Sequence, residues 1–119
     1  MWIVVSPSIS SSIDCVEDMM DHKVINPEWK GTIRAYTYGY LSSDNIQRII
    51  LFLRPTSKPG EIAHEIKHAI NIIFSWNGIK LSTSNDESEC YYLENLVDKT
   101  HNAITTYKRK QKKLNKINK

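Results

Sequence analysis

Two histidines four residues apart with a glutamate directly after the first, His64-Glu65-Ile66-Lys67-His68, could bind a metal ion and activate water on it. On a helix, positions i and i+4 project from one face about one turn apart, so both imidazoles can reach the same cation. The glutamate between them points aside. There its carboxylate can take a proton from a metal-bound water without being a ligand itself. A lone histidine on such a helix would more often be a satisfied core residue. Two imidazoles alone seldom hold zinc tightly, so a third protein ligand is expected. The next acids downstream are Asp86, Glu87 and Glu89. Glu87 follows His68 with eighteen residues between them, and a small change of helix phase would favour either rival. Tyr91 lies one turn after Glu87 on the same face. It could hydrogen-bond Glu87, a histidine or the oxyanion of a tetrahedral intermediate, or it could pack in the core. Glu94 and Asp98 continue that face, and either could accept the free N–H of a ligand histidine.

The elements that must position these groups can be read from periodicity. Arg48-Ile49-Ile50-Leu51-Phe52-Leu53-Arg54 is a buried strand, and Pro55 to Gly60 is the turn that stops it. A helix then starts near Glu61. Ile62, Ile66, Ala69, Ile70, Ile73 and Phe74 recur three and four apart, as a buried stripe does, and Asn77-Gly78 ends it. A second helix, capped by Ser84 or Asn85 with acids in its first turn, runs from residue 86 to beyond 107. Upstream, residues 2 to 5 form a strand and Ile13 to His22 a short helix capped near Ser11 or Ser12. Thr32 to Tyr40 alternates as a strand and forms a hairpin with residues 47 to 54. The order β-α-β-β-α-α predicts an α+β fold, a small and mostly antiparallel sheet with helices on one side. Trp76 is expected under the loop between the last two helices, Lys67 on the face away from the histidines, His101 at the surface, and His22 as a structural residue without a partner.

Strand, turn, H-E-x-x-H helix, glycine, then Asn85-Asp86-Glu87 with an aromatic four residues after Glu87 resembles the gluzincin clan of zinc metallopeptidases. The smaller pattern is similar to the short zincin-like metallopeptidases encoded by bacteriophages. The resemblance covers roughly residues 30 to 105. It implies a zincin-like architecture, a Zn2+ cofactor, His64, His68 and Glu87 as metal ligands, and Glu65 as general base. It also implies an extended peptide pairing with a strand edge beside the active helix, either residues 48 to 54 or residues 32 to 40. The chain departs from the larger gluzincins. It has no second domain to form a far cleft wall, and no Asn-Glu-x-x-Ser-Asp motif, since Asp86 precedes Glu87 and position 91 is tyrosine.

At 119 residues the chain is one domain, residues 1 to 107, followed by a basic tail over 108 to 119. Forty per cent hydrophobic content with mixed charge excludes a disordered polyelectrolyte. Met1 to Val5 is apolar but too short for a membrane span and lacks the basic start of a signal peptide. Cys15 and Cys90 fit a reduced, cytoplasmic protein with buried or idle thiols. Net charge is +3, yet the tail alone carries Lys108, Arg109, Lys110, Lys112, Lys113, Lys116 and Lys119 and no acid. Such a run could attract nucleic acid. A solvated helix end is expected instead, because the run interleaves no aromatics. The function expected is zinc-dependent hydrolysis of a peptide bond in a peptide or protein substrate. The alternative is a non-catalytic binding or structural protein stabilised by zinc.

Overall fold

The computed structural model describes residues 1–84 and 86–118. In chain order the elements are β1 (Trp2–Val5), α1 (Ile9–Met20), β2 (Tyr36–Leu41), β3 (Gln47–Leu53), α2 (Pro59–Trp76) and α3 (Asp86–Ile117). The three strands form a mixed sheet in the order β1-β3-β2, so the fold is α+β. β3 is central because its apolar run is continuous, and Ile49 to Leu53 are all buried. β2 pairs with it antiparallel, Tyr36 opposite Phe52 and Leu41 opposite Gln47, as the hairpin pattern predicts. β1 pairs with its other side in parallel, Trp2 opposite Ile50.

Successive β3 residues point to opposite faces, and both faces are covered. Ile50 and Phe52 pack with Ile9, Ile13 and Val16 of α1. Ile49 and Leu51 pack with Ile66, Ala69, Ile70 and Phe74 of α2 and Leu96 of α3. The expectation of helices on one side is therefore corrected: α1 takes the face opposite α2 and α3. The sheet is half parallel instead of mostly antiparallel, because β1 reaches β3 through a crossover that contains α1.

Helix ends follow local chemistry. α1 begins earlier than expected, since Ser8 is the residue whose hydroxyl accepts the Ser11 N–H (3.2 Å). Pro59 opens α2 at a position where its missing N–H costs nothing, and the Glu61 carboxylate accepts the Lys58 N–H at 3.2 Å. α2 ends at Gly78, φ 68°, where the Ile79 N–H reaches the Phe74 carbonyl and the Gly78 N–H that of Ser75. Asn85, a proposed cap of α3, lies outside the described residues, as does Lys119.

α2 crosses β2 closely. A Cβ on Gly39 would lie 2.9 Å from Ile72 Cγ2 and 3.2 Å from the Trp76 ring, so Trp76 packs on the sheet, where it borders a cavity it shares with Ile79 of the loop after α2. His22 has partners after all. Its Nε2 lies 2.9 Å from the Tyr38 hydroxyl, and its ring stacks on Tyr40. Both cysteines are free and exposed. Among the described residues no helix is long and apolar enough to cross a membrane.

The basic segment continues α3 as helix to Ile117. Leu114 is half exposed and Ile117 more so, whereas Tyr107 is still partly covered beside Ile3 and Val5. Truncation after Tyr107 is therefore expected to change unfolding free energy by no more than about 0.5 kcal/mol. Urea denaturation of the two proteins checks this. Binding of full-length protein to DNA or RNA in low salt, lost with the truncation and steeply weakened by salt, would overturn the reading of a solvated end.

Candidate metal and hydrolytic site

α2 buries its apolar stripe and leaves the opposite side to solvent, and that side carries His64 and His68. The two rings meet edge to face with their Nε2 atoms 3.1 Å apart. Two nitrogens bound to one tetrahedral zinc at about 2.0–2.1 Å would lie about 3.3 Å apart. The 3.1 Å separation is that of a hydrogen bond between the two rings, and it is also close to the spacing a shared cation would need.

Glu65 and Lys67 flank the pair on opposite sides, since each residue turns the helix by about 100°. Glu65 turns toward β2 and is buried, 7% exposed. Thr37 Oγ1 lies 2.5 Å from its Oε2 and 3.0 Å from its backbone carbonyl. Burial, and then the negative charge of Glu65, raises the pKa of the neighbouring Tyr36 phenol. Lys67 turns toward α3 and forms an ion pair with Glu89. It borders the histidines and is not on the far face, which corrects the expectation for it.

His64 and Glu65 line an open cleft of about 360 Å³ with Arg34, Ala35, Gly60 and Glu61. The wall opposite α2 is the segment leading into β2. Because β3 is paired on both sides, residues 48 to 54 offer no edge, and the free edge beside this cleft belongs to β2. Glu61 is engaged with Arg54 at 3.7 Å, while Arg34 forms no ion pair among the described residues.

The acids of α3 are distributed differently from expectation. Glu87 lies nine positions, about two and a half turns, before the buried Leu96, and so on the opposite side of the helix. It is exposed, as are Glu94 and Asp98 on the same face. Tyr91 is 63% exposed and borders a separate cavity with Met1, Ile73 and Leu96. It neither packs in the core nor faces the histidines. Glu89 is the acid turned toward α2. Asp86 and His101 are exposed. Among the described residues no third His, Cys, Asp or Glu gathers with His64 and His68 into a metal-holding group.

Local periodicity did not reveal Thr37, Arg34 or Glu17. Thr37 belongs to the site only because β2 lies across α2. Glu17 on α1 is buried and accepts the Val24 N–H (2.9 Å) and the Lys30 ammonium (2.7 Å), whose hydrogen bond holds its carboxyl below the usual range. It anchors the loop after α1 and lies on the other face of the sheet from the histidines.

No family model, no curated protein and no solved structure matches the chain.

Proposed function

We propose that the protein is a zinc-dependent metallopeptidase, with His64 and His68 as metal ligands and Glu65 as general base. The observation that carries this reading is the convergence of the two Nε2 atoms to 3.1 Å, directly beside a buried carboxylate at an open cleft. The donor set suits zinc, which favours imidazole nitrogen and carboxylate oxygen. Bound there, zinc would acidify water and polarise a carbonyl.

The chain's own groups divide the remaining work. Glu65 takes the proton of the attacking water and later delivers it to the leaving amine. The free edge of β2 pairs with an extended peptide through backbone hydrogen bonds, which gives affinity with little side-chain selectivity. Arg34, at the mouth of the cleft, adds a positive charge near the bound peptide. Tyr91 is given no role, because it faces a different cavity.

A carboxylate from the first turn of α3 completes the ligand set. Glu87 has the spacing that the resemblance implies. Reaching the histidines requires that turn to unwind, because Glu87 faces away from α2, and it gives up the bonds that the turn's carbonyls accept from the next turn. Glu89 is already bound to Lys67. Glu87→Ala is therefore expected to weaken zinc by roughly 100-fold or more, and Glu89→Ala by less than roughly tenfold, in competition titrations with a chromophoric chelator. A dominant effect of Glu89→Ala or Asp86→Ala would reassign the ligand. The function itself is tested with zinc-loaded protein and a mixture of internally quenched peptides. Cleavage abolished by a chelator and restored by zinc supports it. A protein that binds zinc and cleaves nothing supports the alternative of a metal used as a fold staple.

A further inference from the structure

We infer that Thr37 is a positioning residue for Glu65, and that strand β2 thereby sets both the peptide and the base that acts on it. This rests on the metallopeptidase reading of the site.

The Thr37 hydroxyl has one proton and two acceptors within reach, the Glu65 backbone carbonyl at 3.0 Å and its Oε2 at 2.5 Å. The carboxylate oxygen is charged and closer, so it takes the proton. Among the described residues no other group hydrogen-bonds this carboxylate. Glu65 is only 7% exposed and meets solvent only from the cleft it lines, so on the β2 side the threonine has no substitute. With Oε2 held, the carboxylate plane is fixed and Oε1 is left to receive a proton.

The placement of Thr37 matters as much as its hydroxyl. It pairs with Leu51 of the central strand β3, so its backbone is anchored on that side. By strand alternation its side chain shares a face with Gly39, whose Cα approaches Ile72 and Trp76 of α2. Tyr36, Tyr38 and Tyr40 take the other face, toward His22 and α1. The lack of a side chain at Gly39 lets α2 lie close enough for the Thr37–Glu65 contact. A peptide added to the free edge of β2 would be in register with the strand that holds the base, so alignment of the scissile bond and of Glu65 have one origin.

The test uses the full-length zinc-loaded protein and the same quenched peptide mixture. Thr37→Val removes the hydroxyl at nearly constant volume, and Thr37→Ser keeps it. Misplacing a reacting group by about 1 Å costs roughly 100-fold, so Thr37→Val is expected to lower kcat between roughly tenfold and 100-fold. KM and zinc content should stay at the wild-type level, and Thr37→Ser should recover kcat to within about threefold of wild type. Should Thr37→Val fold poorly, Thr37→Ala is the second variant without the hydroxyl, and kcat is taken per zinc-loaded molecule. A purely structural clamp would lower the melting temperature and leave that kcat unchanged, which overturns the inference alone. Wild-type protein that binds zinc and hydrolyses no peptide overturns the inference and the metallopeptidase reading together.

Discussion

Refolded or purified with excess zinc and then desalted, the protein is expected to retain about one zinc per chain, and His64→Ala or His68→Ala to lose it. The effect should be large. Removing a group that merely orients a ligand typically costs 10- to 100-fold in metal affinity, and removing a ligand costs more. The geometry gives a specific reason for the size. The two Nε2 atoms already lie 3.1 Å apart, so little conformational freedom is lost when they share an ion. Both imidazoles are exposed, so either alanine should fold normally without metal, as far-UV circular dichroism can check. Zinc should also raise the melting temperature of the wild type, by about 2.7 kcal/mol of added stability at 100 times Kd, and should not do so for either variant. Wild-type protein that emerges free of zinc after this treatment would remove the basis of the metallopeptidase reading.

The parts of the molecule that local pattern predicts are those whose cause is local. The apolar spacing of α2, its proline start and its Gly78 stop all follow from backbone chemistry within a few residues, and the histidine pair inherits its geometry from that helix. The partner of β1 is not local: four residues carry no signal that they pair in parallel with a strand more than forty positions away. A usable signal for a two-sided sheet was nonetheless present. Ile49 to Leu53 are apolar without alternation, the mark of a strand covered on both faces, and this fits α1 opposite α2 better than helices on one side. The outward direction of Glu87 and Tyr91 was also contained in helix arithmetic, since Leu96 and Thr100 set the buried side of α3 and Glu87 falls opposite. Spacing along the chain suggested Glu87, while helix phase favours Glu89 facing α2. The two criteria measure different things, distance along the chain and rotation about an axis. Thr37 could not have been found by either, because its contact with Glu65 spans β2 and α2 and depends on Gly39 admitting the helix.

Glu65→Gln separates an enzyme from a metal-stabilised fold. Glutamine keeps the size and shape of the side chain, and its carbonyl oxygen can still accept the Thr37 hydroxyl, so the cleft wall should persist. Glutamine cannot take a proton from water at neutral pH. Zinc content should therefore match the wild type, because His64 and His68 are untouched and Glu65 lies beside the pair with Oε2 held by Thr37 of β2, not between the two rings. Hydrolysis of the peptide mixture should fall by roughly two or more orders of magnitude, the usual contribution of a positioned general base. The fall should appear in kcat, because the base acts on the proton in the transition state and contributes little to peptide binding along β2. Three results are diagnostic. Zinc lost with Glu65→Gln makes Glu65 a ligand and discards the proposed mechanism. Zinc kept with activity unchanged leaves the metal in place and moves the base elsewhere. Zinc kept with activity gone leaves Glu65 as the group that handles the proton, and the comparison of Thr37→Val with Thr37→Ser then reports how tightly β2 must hold it.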